Sequence, residues 1–174
     1  MLTALIVILA AIALLLLLAS TRPNVFRIQR TARIRAPAER IYPLIEDFHR
    51  WGEWSPYEKL DPNLQRTYSG PASGRGAVYE WSGNSKAGNG RMEITDTAQP
   101  DRVTIQLDFI KPFRARNVAE FRLTPRGDAT EVTWEMHGQS AFMHKLLGLF
   151  FNMDKLIGRD FETGLSNLKT ATER

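Results

Sequence analysis

Two hydrophobic periods divide this chain. Toward its C-terminus, apolar residues recur in steps of three and four: Leu146, Leu149, Phe150, Met153, Leu156, Ile157, Phe161, Leu165 and Leu168. That spacing predicts one greasy stripe on a helix running from Phe142 to about Thr170. Asp154, Lys155, Arg159, Glu162 and Lys169 fall mostly on its other side. At ~1.5 Å per residue the helix would be roughly 43 Å long. A stripe of that length needs a large apolar partner.

Upstream the period is two. In Val25–Arg35, Phe26, Ile28, Ala32 and Ile34 alternate with Arg27, Gln29, Thr31, Arg33 and Arg35, which predicts a half-buried strand. Arg30 falls on the apolar face of that strand. It either points into a cavity or reaches solvent at a sheet end. Further strands are predicted at Leu64–Ser69, Ala77–Ser82, Gly90–Thr97, Val103–Phe109, Arg114–Thr124 and around Val132–Met136. Turns rich in Gly, Pro, Ser and Asp separate them, as at Gly70–Gly76, Gly83–Gly88, Gln99–Asp101 and Pro125–Asp128. Connections this short imply an antiparallel meander.

Between the first strand and the meander, Ala36-Pro37 opens a helix with Ile41, Leu44, Ile45 and Phe48 at helical spacing. Pro43 removes a backbone donor inside it and is expected to kink or split it. His49–Tyr57 is dense in aromatics, and Gly52 and Pro56 predict a fixed loop or short helical turn. Together the elements predict an α+β domain: a curved antiparallel sheet of about seven strands wrapped around one long C-terminal helix.

The N-terminus follows neither period. Met1–Ser20 is apolar and uncharged. Leu2 to Ala19 would span about 27 Å at ~1.5 Å per residue, close to the hydrocarbon core of a bilayer. A cleaved signal peptide is the rival reading. Against it, no Lys or Arg precedes the run, the run is long, and Leu17-Leu18-Ala19 is a poor cleavage site. The expected organisation is a transmembrane anchor at 1–20, a linker at 21–24 and a folded domain at 25–174. Arg22, Arg27, Arg30, Arg33 and Arg35 follow the span, and no acid appears before Glu39. The positive-inside rule then puts the domain in the cytoplasm.

Composition excludes several chemistries. There is no cysteine, hence no disulfide, iron–sulfur cluster or thiol nucleophile. A net charge of +4 is too weak to argue for nucleic acid. His49, His137 and His144 have no metal-ligand spacing, so no metal and no cofactor is expected. Gly74-x-Gly76 and Gly88-x-Gly90 sit between strands and read as turns rather than a nucleotide fingerprint. Gly70–Gly74 lacks the spacing of a nucleophile elbow.

Several short motifs together carry a resemblance. They are Arg33–Pro37, Ile41–Asp47, Trp51-x-x-Trp54-Ser55-Pro56 and Gly88-x-Gly90 before Met92–Thr95. The strand Pro100–Phe109 then leads to Pro112-Phe113, and the chain closes on Asp160-Phe161-x-x-Gly164-Leu165-x-x-Leu168-Lys169. Over about residues 25–170 the chain resembles the helix-grip fold of the START-related (SRPBCC) superfamily, in particular its polyketide cyclase/dehydrase-like branch. The resemblance implies a deep cavity between sheet and long helix. Members hold lipids, sterols, polyketides, plant hormones or quinone-like molecules there. Some are cyclases, and others serve transport, sensing or chaperone assistance. These motifs mark fold rather than reaction.

On that reading Tyr79, Trp81, Phe109, Phe121, Trp134 and Met136 face inward from the sheet, and Met153, Ile157 and Phe161 from the helix. Trp51, Trp54 and Tyr57 are expected at the entrance. Large aromatics and methionines suit an adaptable apolar pocket, and equally well a filled core. Polar candidates are Arg30 and Asn117, and Tyr79 is able to donate to a ligand carbonyl. Glu80, Glu93, Asp108, Glu120, Glu131, Glu135 and His137 alternate outward, so no general base is visible. The favoured function is membrane-tethered binding of a lipophilic small molecule. The alternatives are a polyketide cyclase/dehydrase-type enzyme and a protein-interaction module with a filled core. The greasy Phe142–Phe151 run is either a mobile lid or a membrane-dipping segment.

Overall fold

The computed structural model describes residues 1–140, 145–146, 148–149 and 152–173. Of the stretches singled out in the sequence, most of Phe142–Phe151, with His144, lies outside them. Helix α1 spans Leu2–Ser20 and is long and apolar enough to cross a membrane, with a mean hydropathy of 3.1. Strand β1 (Val25–Ile34) follows, then helix α2 (Ala38–Glu46) and two 3₁₀ turns, Phe48–Glu53 and Pro56–Lys59. Next come β2 (Gln65–Ser69), β3 (Val78–Ser82), β4 (Asn89–Ala98), β5 (Arg102–Lys111), β6 (Ala115–Arg126) and β7 (Ala129–Gln139). Helix α3 (Met153–Thr172) closes the domain.

The seven strands form one sheet in the order β1-β7-β6-β5-β4-β3-β2. Every neighbouring pair is antiparallel. The first strand therefore joins the meander at its last strand, and α2 with the 3₁₀ turns carries the chain from one sheet edge to the other. Register sets the inner face. Phe121 lies opposite Trp134, Ala119 opposite Met136 and Asn117 opposite Gly138.

Pro43 lies inside α2, which stays unbroken from Ala38 to Glu46, so the expected split does not occur there. The break comes at Asp47, whose side chain accepts from the His49 amide and starts the first 3₁₀ turn. The α2 end is sealed by two indoles. Trp51 Nε1 donates to the Ile45 carbonyl at 2.9 Å and Trp54 Nε1 to that of Leu44 at 2.8 Å. Carbonyls at a helix C-terminus otherwise lack partners, so the aromatic motif binds helix to turn.

Helix α3 begins later than the periodicity predicts. Asn152 has β-region dihedrals, and its side chain accepts from Lys155 N, as an N-cap does. Its buried face is Gly158, Phe161, Gly164, Leu165, Leu168 and Thr172. Leu156, assigned to the apolar stripe by spacing, is 58% exposed. Glycines let α3 lie close to the sheet. A Cβ on Gly158 would overlap the Arg30 guanidinium, and one on Gly164 would sit 2.7 Å from the Trp134 ring.

Candidate functional site

The sheet's concave inner face curves around α3 without filling the space between them. A cavity of about 900 Å³ remains, within the range of small-molecule sites. Ten of the aromatic and apolar candidates line it: Trp51, Tyr57, Tyr79, Trp81, Phe109, Trp134, Met136, Met153, Ile157 and Phe161. Asn117 does as well. Phe26, Ile28, Met92, Leu107 and Phe113 add apolar wall that the sequence reading did not single out.

Three candidates lie elsewhere. Trp54 and Phe121 are fully buried and belong to the packed part of the core. Their rings meet edge to face at 5.8 Å, and Phe121 stacks on Trp134 at 4.9 Å. Trp51 is also deep, whereas Tyr57 is half-buried and the exposed Leu60 just after it lines the cavity as well. Arg30 neither enters the cavity nor points to solvent. Its Nε donates to Glu162 at 2.7 Å, and its terminal nitrogens reach the Asp154 carboxylate at 3.1 and 3.2 Å. Those bonds hold the guanidinium firmly protonated. Arg30 thus pins the start of α3 to β1, which explains a charge on an apolar face.

The exposed residues that line the cavity mark its opening. They include Arg22, Pro23, Val25 and Arg27 after α1, Lys111, Pro112 and Phe113 at the β5–β6 turn, Leu60 after the second 3₁₀ turn, and Asn152 and Asp154 at the start of α3. Lys145 also lines the cavity, and its ammonium bonds the Asn24 side chain beside this rim.

Besides Asp154, which is paired with Arg30 and largely exposed, two deeper carboxyls contribute to the lining. Glu58 accepts from the Tyr79 hydroxyl at 2.6 Å and from Arg66 Nε at 2.6 Å. Its side chain is only 8% exposed. Burial, and then the hydrogen bond to Glu58, push the Tyr79 phenol well above its ordinary range. Tyr79 therefore stays protonated, directs its hydroxyl hydrogen to Glu58, and leaves an oxygen lone pair for a ligand. Asp160 lines the cavity from α3 and has no hydrogen-bond partner among the described residues. Burial raises its carboxyl, and burial with the nearby Asp160 charge raises the Tyr57 phenol. Asn117 is buried, and its Oδ1 lacks a partner, as does Ser55 Oγ. A cavity that is apolar overall carries a few polar groups free to orient a guest.

The expectation that no acid faces inward is thus corrected at Glu58 and Asp160. Asp160 was legible: it stands three residues after Ile157 and next to Phe161, on the same helical face. Glu58 was not, because a four-residue 3₁₀ turn has no period to read.

Burial of the Asp160 carboxyl makes folding stability depend on pH. A carboxyl whose folded pKa exceeds its unfolded value binds its proton more tightly when folded. Stability is then lost as pH rises through the carboxyl's raised folded pKa. Asp160→Asn is expected to raise the melting temperature at neutral pH, with the gain vanishing below the carboxyl range. An equal change at both pH values would mean the effect is packing alone.

A curved antiparallel sheet gripping a C-terminal helix around an open interior defines the helix-grip class of small-molecule domains. The chain belongs to the family "polyketide cyclase / dehydrase and lipid transport", whose model matches residues 25–173. No curated protein matches it significantly in sequence. Among solved structures, the di-domain aromatase/cyclase BexL of the BE-7585A biosynthetic pathway superposes with a TM-score of 0.64 at 13% identity, covering 90% of this chain and 53% of that one. Major latex-like protein 151 of Panax ginseng gives 0.61 at 11% identity, covering 86% and 99%. The Aha1 dimer of Colwellia psychrerythraea gives 0.58 at 19%, covering 85% and 96%. At these identities the likeness is one of fold.

Proposed function

We propose that the domain holds a lipophilic small molecule, such as a lipid, an isoprenoid or a polyketide-like compound, between sheet and α3, and does so tethered to a membrane by α1. The observation that carries the reading is the open cavity of about 900 Å³, walled by aromatics and methionines. A core that only had to be stable would close such a space, because unfilled volume costs packing energy. The same opening counts against an interaction module with a filled core. The tether keeps the cavity near the phase where lipophilic molecules concentrate, and the arginines after α1 favour a cytoplasmic domain.

A second reading has one observation in its favour. Glu58 bonded to Tyr79, with Asp160 also lining the cavity, supplies the inward polar groups that a cyclase or dehydratase needs. Native mass spectrometry of residues 22–174 purified from the source cells, with organic extraction, tests the binding reading. A discrete species at one per protein is expected. A protein that stays empty across a lipophilic panel would overturn it. Chemical change of the bound species over time would shift the assignment to the enzyme.

A further inference from the structure

We infer that the rim of the cavity is a docking surface for an anionic bilayer, so that the cavity opens directly onto the membrane holding α1. This rests on α1 being a membrane span, but not on the identity of any ligand.

Three independent features meet at the rim. The first is tether length. Helix α1 ends at Ser20, and Arg22 and Pro23 already line the cavity. Asn24 is fixed to the domain, its carbonyl accepting from Ser140 N at 2.8 Å and its side chain bonded by Lys145. Four residues reach at most about 14 Å. The opening cannot swing far from the point where the chain leaves the bilayer.

The second is apolar exposure. Outside α1, the large hydrophobic side chains exposed among the described residues are Val25, Leu60, Ile110, Phe113 and Leu156. Val25, Ile110 and Phe113 belong to the rim or its β5–β6 turn, at 60%, 47% and 53% exposure. Scattered exposed hydrophobics need no explanation, whereas a cluster at a cavity mouth does.

The third is charge. Arg22, Lys111 and Arg114 have no ion-pair partner among the described residues. Nearby acids are neutralised: Asp108 pairs with Arg116 at 3.0 Å and Asp154 with Arg30 at 3.1 Å. The free charge at the rim is positive. Exposed apolar side chains among basic residues, close to a span, fit the headgroup layer of an anionic leaflet. A protein partner would need only the apolar patch and would leave the cavity mouth covered.

The chain has no cysteine, so a single introduced one is a unique label site. The full chain is reconstituted in nanodiscs of phosphatidylcholine with and without phosphatidylglycerol. Nitroxides are placed at Phe113→Cys and, on the far β6–β7 turn, at Asp128→Cys. In anionic discs the label at position 113 should be several-fold less accessible to an aqueous nickel reagent and more accessible to oxygen, while position 128 stays water-exposed. The protection at 113 should fall in neutral discs. Equal nickel accessibility at both positions in anionic discs would overturn the proposal. So would protection from nickel and oxygen alike, which marks burial against protein. Failure of the chain to remain in discs would sink it together with the span. None of these outcomes bears on whether a ligand co-purifies.

Discussion

Trp134→Ala should destabilise the domain by about 3–5 kcal/mol, the range for truncating a large buried aromatic. The ring is 3% exposed and lies flat on Phe161, with centroids 4.1 Å apart and planes 5° from parallel. It also stacks on Phe121 at 4.9 Å and meets Trp54 edge to face at 5.5 Å. These contacts join β7, β6, the aromatic turn and α3 through one side chain. Gly164 is placed so that the helix backbone clears the ring. The loss would be a large fraction of the ~5–15 kcal/mol that typically holds a domain together. One face of Trp134 also borders the cavity, so the new void merges with space that is already open. That merging places the cost toward the lower end of the range. Denaturant unfolding of residues 22–174 measures it. A cost under ~1 kcal/mol would mean that the ring only lines the pocket and that the sheet and helix are held together elsewhere.

The architecture was legible because its signals are periodic. Alternation along β1, β5 and β7, with a turn between each pair of strands, specifies a meander with one apolar face. Periodicity failed where a single polar atom decides. Asn152 caps α3 within a run whose apolar spacing continues on both sides, so the predicted helix starts too early. Arg30 stands on the apolar face of its strand, but a strand pattern cannot name what it meets. Its partners Asp154 and Glu162 are more than a hundred residues away, where spacing carries no information. Trp54 and Phe121 show the same limit: inward-facing does not distinguish packed core from cavity wall. Only the folded structure, in which Trp81, Leu107 and Phe109 line the cavity while Trp54 and Phe121 are packed in the core, makes that distinction.

That distinction is what Ala119→Trp tests. Ala119 lies at mid-strand on β6, between Ile105 of β5 and Met136 of β7, and it lines the cavity at 5% exposure. In a solid core, forcing in an indole would cost about 1–3 kcal/mol or more through displaced neighbours. Here the ring has empty space to enter, and each Å² of apolar surface it buries returns roughly 25 cal/mol. Stability is therefore expected to hold or rise. Binding should move the other way. An indole at this position stands between the rim at Phe113 and the inner wall at Trp134 and Phe161, and so divides the cavity. Affinity for a fluorescent anilinonaphthalene probe, or for the co-purified species, should fall about tenfold or more, equal to ~1.4 kcal/mol. Melting temperature and probe titration on one preparation separate the cases. A stable variant with weakened binding identifies the cavity as the place where the guest resides. A destabilised variant would mean that the interior closes in solution. A stable variant that binds normally would place the guest elsewhere on the domain.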